Sequence, residues 1–254
     1  MRSLLFACSL IVVLPAGSGR AQTPTLPYDH MHFGVPDPAR AVEWWGKHLG
    51  GLPGPAGEPA DRLMFGSVRF AFLKTEAPQP SAGSAVDHIG LSFPDLDAKM
   101  KEFEQAGIKI VTPLRDVPGL FKLAFIEDPW GTKIEVVQDA ETLGFHHVHL
   151  RAPDPPAVLK WYLDTFGGEQ AKLKGRLDAV RYGTLWLLAQ QGEATPTSGH
   201  AIDHLGWRTP NLDALAGELK ARGVKFTSEP RALRDLRIAF VESPAAVKIE
   251  LVQR

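Results

Sequence analysis

His30–Gly51, HMHFGVPDPARAVEWWGKHLGG, and His147–Gly168, HVHLRAPDPPAVLKWYLDTFGG, follow one pattern. His30, His32, Pro36-Asp37-Pro38, Trp44 and Gly50-Gly51 recur as His147, His149, Pro153-Asp154-Pro155, Trp161 and Gly167-Gly168, always 117 residues on. A constant offset over so many positions marks an internal duplication, which fixes the architecture before any single element is considered. Two further stretches open alike, VDHIGLSFPDLDAKMKEFEQAGIKI from Val86 and IDHLGWRTPNLDALAGELKARGVKF from Ile202. They also close alike, in KIEVVQ (Lys133–Gln138) and KIELVQ (Lys248–Gln253). The chain is therefore four units long.

Each unit reads in the same order. A short apolar strand carrying one or two histidines runs into a Pro/Asp or Pro/Asn turn, which supplies a helix N-cap at Asp37, Asp95, Asp154 or Asn211. An amphipathic helix follows, as at Ala39–Leu49 or Leu96–Ala106, and glycine stops it at Gly50, Gly107, Gly167 or Gly223. Apolar runs then read as strands: Leu63–Phe65 and Val68–Leu73; Lys122–Ile126 and Lys133–Val137; Val180–Tyr182 and Leu185–Ala189; Arg237–Val241 and Lys248–Val252. The fold class is α+β, with four βαβββ modules at 28–80, 86–139, 145–191 and 201–254. Pro/Gly/Ser-rich stretches at 75–84 and 192–199 link the modules within domain 28–139 and domain 145–254, and Asp139–Gly144 joins the two domains. Such a unit leaves one sheet face open, so two units side by side are expected to curl into a half-open barrel with helices outside.

With 44% hydrophobic and 22% charged residues, the chain is an ordinary globular one. Its net charge of −1, with no basic run, points away from nucleic acid and anionic membrane surfaces as partners. Met1-Arg2 followed by the apolar Leu4–Leu14 is too short to span a bilayer. It fits a secretory signal peptide over residues 1–21, cleaved after Ala21, with export to a periplasm-like compartment and no membrane contact in the mature form. Cys8, the only cysteine, lies in that leader, so the mature chain has neither thiolate ligands nor cysteine catalysis.

The duplication also repeats polar residues inside apolar strands. His30, His88 and Glu135 recur as His147, His204 and Glu250, at intervals of 58 and 47 residues and then 57 and 46. Two imidazoles and a carboxylate are ligands a divalent metal uses. Strand alternation puts His32 on the face of His30, and His149 on the face of His147. Each of these extra histidines fits a general base, a hydrogen-bond donor behind a ligand, a ligand itself or a packed side chain. In the doublet His146-His147 only His147 is in register with His30. Trp44, Trp45, Trp161 and Tyr162 fall at core spacing on their helices; Trp130, Arg69, Arg115 and Arg181 fit either a pocket wall or a solvated face.

From Tyr28 to Arg254 the chain resembles the vicinal oxygen chelate superfamily, which includes glyoxalase I, extradiol dioxygenases and bleomycin-resistance proteins. The carriers are the Asp29-His30, Asp87-His88 and Asp203-His204 openings, the Pro-Asp turn with its Gly-stopped helix, and the Asp128-Pro129-x-Gly131…Glu135 hairpin. The resemblance implies two glyoxalase-like half-open barrels. It further implies a divalent ion (Fe, Mn, Zn or Ni) on His30, His88 and Glu135, with His147, His204 and Glu250 as the second set. The fourth ligand position of the family falls near Phe70 and Leu187, both apolar, which leaves open coordination sites. Small oxygen-bearing substrates follow, with His32 and Glu135 as catalytic residues and proton-transfer lyase or isomerase chemistry ahead of dioxygenation. Phe125 stands where ring-cleaving members carry Tyr, and Ser243-Pro244-Ala245-Ala246-Val247 replaces the Asp128 hairpin in the second half. A non-catalytic binding protein is the alternative reading. The expected assembly is a monomer or homodimer.

Overall fold

A computed structural model describes residues 23–254. The proposed leader lies outside the described residues.

The first module comprises β1 (Tyr28–Val35), α1 (Pro38–Leu49), β2 (Leu52–Pro53), β3 (Arg62–Phe65) and β4 (Val68–Lys74). The second comprises β5 (Val86–Ser92), α2 (Leu96–Gln105), β6 (Lys109–Asp116), β7 (Lys122–Glu127) and β8 (Lys133–Gln138). The third is β9 (Gly144–Ala152), α3 (Pro155–Phe166), β10 (Glu169–Leu173), β11 (Leu177–Tyr182) and β12 (Leu185–Gln191). The fourth is β13 (Ile202–Arg208), α4 (Leu212–Ala221), β14 (Phe226–Leu233), β15 (Leu236–Glu242) and β16 (Lys248–Gln253). Four βαβββ units are present, as the repeat requires. All four expected N-caps accept from helix amides, Asp37 from Ala39 and Arg40, and Asp95, Asp154 and Asn211 each from the third residue on. Apolar runs did not mark β2, β6, β10 or β14: β6 and β14 alternate exposed and half-buried residues with little apolar signal.

The strands form two eight-stranded sheets, ordered β14-β15-β16-β13-β1-β4-β3-β2 and β10-β11-β12-β9-β5-β8-β7-β6. Each half-open barrel therefore joins modules from different halves, the first with the fourth and the second with the third. This corrects the expectation that neighbouring modules of one half share a cleft. Chain reach explains it. The segment 139–143 between β8 and β9 spans roughly 17 Å when extended, enough to cross the end of β5 and lay β9 antiparallel beside it. Modules of one half meet through their helix side instead: Trp45 on α1 donates its indole N–H to Asp128 Oδ2 at 3.1 Å, and Trp44 packs edge-on against Trp130.

Most of the core lies between helices and sheets. Met31, Phe33 and Val35 of β1 are fully buried with Trp45 and Phe70, while the alternate residues His30 and His32 face the concave side. Tyr162 and Trp45 are fully buried, and Trp44 and Trp161 pack against the same core, so the helix aromatics are packing residues.

Candidate metal centres

The innermost strand of every module is bulged one residue before its candidate ligand. The ladders β1–β13 and β5–β9 shift register at Asp29, Asp87, His146 and Asp203. A bulge re-aims the extra side chain, and here it places that residue beside the next imidazole. His30 Nδ1–H donates to Asp29 Oδ2 at 2.8 Å, His88 Nδ1–H to Asp87 Oδ1 at 2.7 Å, and His204 Nδ1–H to Asp203 Oδ1 at 2.5 Å. A carboxylate at Nδ1 fixes the tautomer that turns the Nε2 lone pair inward.

Two clusters result. His30, His32, His204 and Glu250 form the first; His88, Glu135, His147 and His149 form the second. Within each cluster one ligand-type atom per residue lies within 4.8 Å of all the others. In the first, Glu250 Oε2 is 3.1 Å from His204 Nε2 and 3.4 Å from His30 Nε2. In the second, Glu135 Oε2 is 3.1 Å from His88 Nε2 and 3.2 Å from His147 Nε2, while His149 Nδ1 lies 3.1 Å from His88 Nε2.

All six expected ligands thus enter clusters, but not in the expected grouping. His30 does not meet His88 and Glu135, nor does His147 meet His204 and Glu250. Each ladder between innermost strands brings a His-x-His strand against a His-x-Gly strand from the other half. Glycine is required at that position. A Cβ on Gly206 would stand 2.1 Å from His30 Cε1, and one on Gly90 2.1 Å from His147 Cε1. The repeated DHIG and DHLG motifs carried this signal.

The fourth ligand position also shifts by one residue. Glu135 and Glu250 lie across from Gly90 and Gly206 in the parallel pairs β5–β8 and β13–β16. The equivalent residue in β4 lies across from His32 and is Ala71; in β12 it lies across from His149 and is Leu188. Phe70 and Leu187 point instead into the main core. His32 and His149 supply the fourth polar group, each on the strand adjoining β4 or β12, where the family's fourth ligand position was expected to stay apolar and open. The donor set at each centre is therefore three imidazoles and one carboxylate.

These residues fit a cation. His30 Nε2, His32 Nδ1 and His147 Nε2 are buried without a hydrogen-bond partner, at the heart of the clusters. Lone pairs of imidazole nitrogen and carboxylate oxygen brought to about 3 Å repel unless a proton or metal ion lies between them. Burial alone would push His30 and His88 down, but Asp29 with Glu250, and Asp87 with Glu135, outweigh it and hold both above the ordinary histidine value. Burial would likewise raise Glu135, yet His147 and His88 keep it well below the usual carboxylate range; His204 and His30 do the same for Glu250. Burial and the neighbouring imidazoles keep His32 and His149 neutral, the form a metal requires.

One support differs. Where Asp precedes the other three histidines, His146 precedes His147. Its Nδ1 accepts from His147 Nδ1–H at 2.8 Å, and its Nε2–H donates to Asp139 Oδ2 at 3.2 Å, with Lys174 Nζ 2.8 Å from Asp139 Oδ1. Burial and His147 push the His146 imidazole down to about 4, so it stays neutral and able to accept. Of the other residues singled out, Arg69 lines the cleft of the first centre, whereas Arg181 holds the carbonyl of Gly183.

Among solved structures, the fold is similar to glyoxalase I from Zea mays, at 20% identity and a TM-score of 0.73, over 90% of this chain and 92% of that one. It is also similar to a presumed dioxygenase from Bacillus subtilis, at 15% identity and a TM-score of 0.63, over 90% and 85% of the two chains. No curated protein matches the sequence. Residues 28–136 and 144–251 both match one family, and on that double match the chain belongs to the Glyoxalase/Bleomycin resistance protein/Dioxygenase superfamily.

Proposed function

We propose that the chain is an exported metal-dependent enzyme that binds a small oxygen-bearing substrate and moves a proton on it, as a lyase or isomerase. The observation that carries this reading is the pair of buried clusters, each with three imidazoles and one carboxylate and with orphaned nitrogens turned inward. A divalent ion held there would act as a Lewis acid on two adjacent oxygens, acidifying the neighbouring C–H. His30, His204 and His32 would hold one ion with Glu250; His88, His147 and His149 would hold the other with Glu135. Glu135 and Glu250 are the groups placed to take up and return a proton, because each engages its imidazoles through Oε2. His32, expected as a base, lies among the ligand nitrogens, and a nitrogen bound to metal cannot also accept a proton.

Dioxygenation is disfavoured by the wall of each site. Phe125 and Phe240 stand nearly perpendicular to the rings of His88 and His204, at 5.1 and 5.5 Å between centroids, and Phe125 occupies the position where ring-cleaving members carry Tyr. Both centres lie within one chain, so neither needs a second copy.

Elemental analysis of protein purified without chelator tests the proposal. Two ions per chain are expected, with His88→Ala and His204→Ala each losing one ion while keeping the native circular dichroism spectrum. A chain that takes up none of Fe, Mn, Zn or Ni would instead favour a metal-free binding protein.

A further inference from the structure

The four innermost positions are matched between the two centres, but the walls behind them are not. Across the first barrel, the ladder register aligns His204, His32, Ala71 and Arg62 on β13, β1, β4 and β3. Across the second, the same line reads His88, His149, Leu188 and Ala179 on β5, β9, β12 and β11. Residues directly opposite in register share a face. Beside His32 there is thus a gap over a methyl group and then a guanidinium, whereas beside His149 there is a leucine and then a methyl group.

The cavities follow this difference. The first centre opens into a cleft of about 810 Å³ that His30, His32 and Glu250 line together with Arg62, Arg69 and Arg254. Beside the second centre lies a cavity of about 740 Å³ that meets it at His149 and is walled largely by Leu159, Leu163, Leu177, Val180 and Leu188. In the first cleft Arg69 and Arg254 are already paired, while Arg234 and Asp235 line its rim at the turn between β14 and β15. Arg69 holds Glu58 through two nitrogens, at 2.8 and 3.0 Å, and Arg254 pairs with Asp29. Arg62 meets Asp61 at 3.0 Å through Nε and Glu58 at 3.5 Å through Nη1, while its Nη2 has no partner among the described residues.

We propose that Arg62 anchors a carboxylate at the far end of a substrate chelated at the His30/His32/His204/Glu250 centre, across the space left by Ala71. The substrate class is a 2-oxo or 2-hydroxy acid bearing a second carboxylate a few carbons away. Two strand spacings, roughly 10 Å between the α-carbons of His32 and Arg62, leave room for a chain of that length. The second centre has no guanidinium on this ladder line, where Leu188 and Ala179 stand, its cavity cations Arg176 and Lys160 lying elsewhere on the wall, and it takes chelators with an apolar tail. This inference rests on metal occupancy of the clusters, as proposed above.

Cobalt(II)-loaded protein provides the test, because its visible bands report ligands entering at the ion. In His88→Ala, which keeps the first centre alone, 2-oxoglutarate is expected to bind about tenfold tighter than 2-oxopentanoate, the same chain without its distal carboxylate. Arg62→Met should erase that preference and Arg62→Lys should retain part of it. In His204→Ala, which keeps the second centre, the preference should be absent; adding Leu188→Ala with Ala179→Arg should create it. Equal binding of the two acids in His88→Ala, or a preference that survives Arg62→Met, overturns the inference while leaving the metal sites standing. Absence of cobalt bands in both backgrounds would overturn the metal reading and this inference with it.

Discussion

At the centre built from His30, His32, His204 and Glu250, both supporting residues are aspartates, Asp29 and Asp203. At the centre built from His88, His147, His149 and Glu135, one support is Asp87 and the other is His146, backed in turn by Asp139. The inner atoms are matched, yet the residues behind them and the walls around them differ in charge. Ligand identity in a duplicated fold is thus held more tightly than the surroundings that tune the ligands. A bulge provides each support position with a side chain aimed at Nδ1, and either a carboxylate or a neutral imidazole satisfies that geometry.

The sharpest way to break the equivalence of the two centres is to fill one of the glycines beneath an imidazole. Gly206→Ala should displace His30, cost about 3 kcal/mol of unfolding free energy and empty the first centre alone. Gly90→Ala should do the same through His147 at the second. Urea unfolding with metal analysis reads both effects; loss of both ions from either single variant would show that the centres are coupled rather than separate.

A weaker effect is expected from pH. In the metal-free chain His30 and His88 are held above the ordinary histidine value of 6.5. Their protonated pairs therefore stabilise the apo fold fully below pH 6.5, and that contribution is lost as pH rises through the raised values. A metal must displace the same protons, so affinity should fall about tenfold per pH unit below 6.5 at each centre. Thermal shift with and without added zinc checks this: the stabilisation by zinc should grow as pH rises. Unequal slopes at the two centres, separated with His88→Ala and His204→Ala, would sharpen the contrast between them.

The smallest effect is expected at the support itself. His146→Asp restores at the second centre the carboxylate found behind the other three histidines, and should tighten metal binding there about tenfold without changing the first. Competition with a chromophoric chelator measures it. Unchanged affinity would mean that His146 with Asp139 supports His147 as well as a direct carboxylate does.

The near-constant offset of 115–117 residues made the four modules and every cluster residue legible in the sequence, because strand histidines and the KIE glutamates recur at matching places in both halves. The partner of each module was not legible. Intervals along the chain are the same whether His88 meets His30 or His149, and only the short reach from β8 to β9 decides between them. The assignment of Phe70 failed for a related reason: aligning turn glycines sets hairpin positions, whereas the parallel ladder between β1 and β4 selects Ala71. Gly90 and Gly206 sat in plain view beside the histidines, but their role depends on a ring from a strand more than 50 residues away.

Because each barrel takes one module from either half, no half of this chain holds a complete centre. A half on its own would have to find a second copy of itself, and the two centres of that pair would be identical by symmetry. Covalent joining removes this constraint: a substitution such as arginine at Arg62 or leucine at Leu188 alters one centre and leaves its twin untouched. The linker at 139–143 is thus what allows a single polypeptide to carry two pockets with differently built walls.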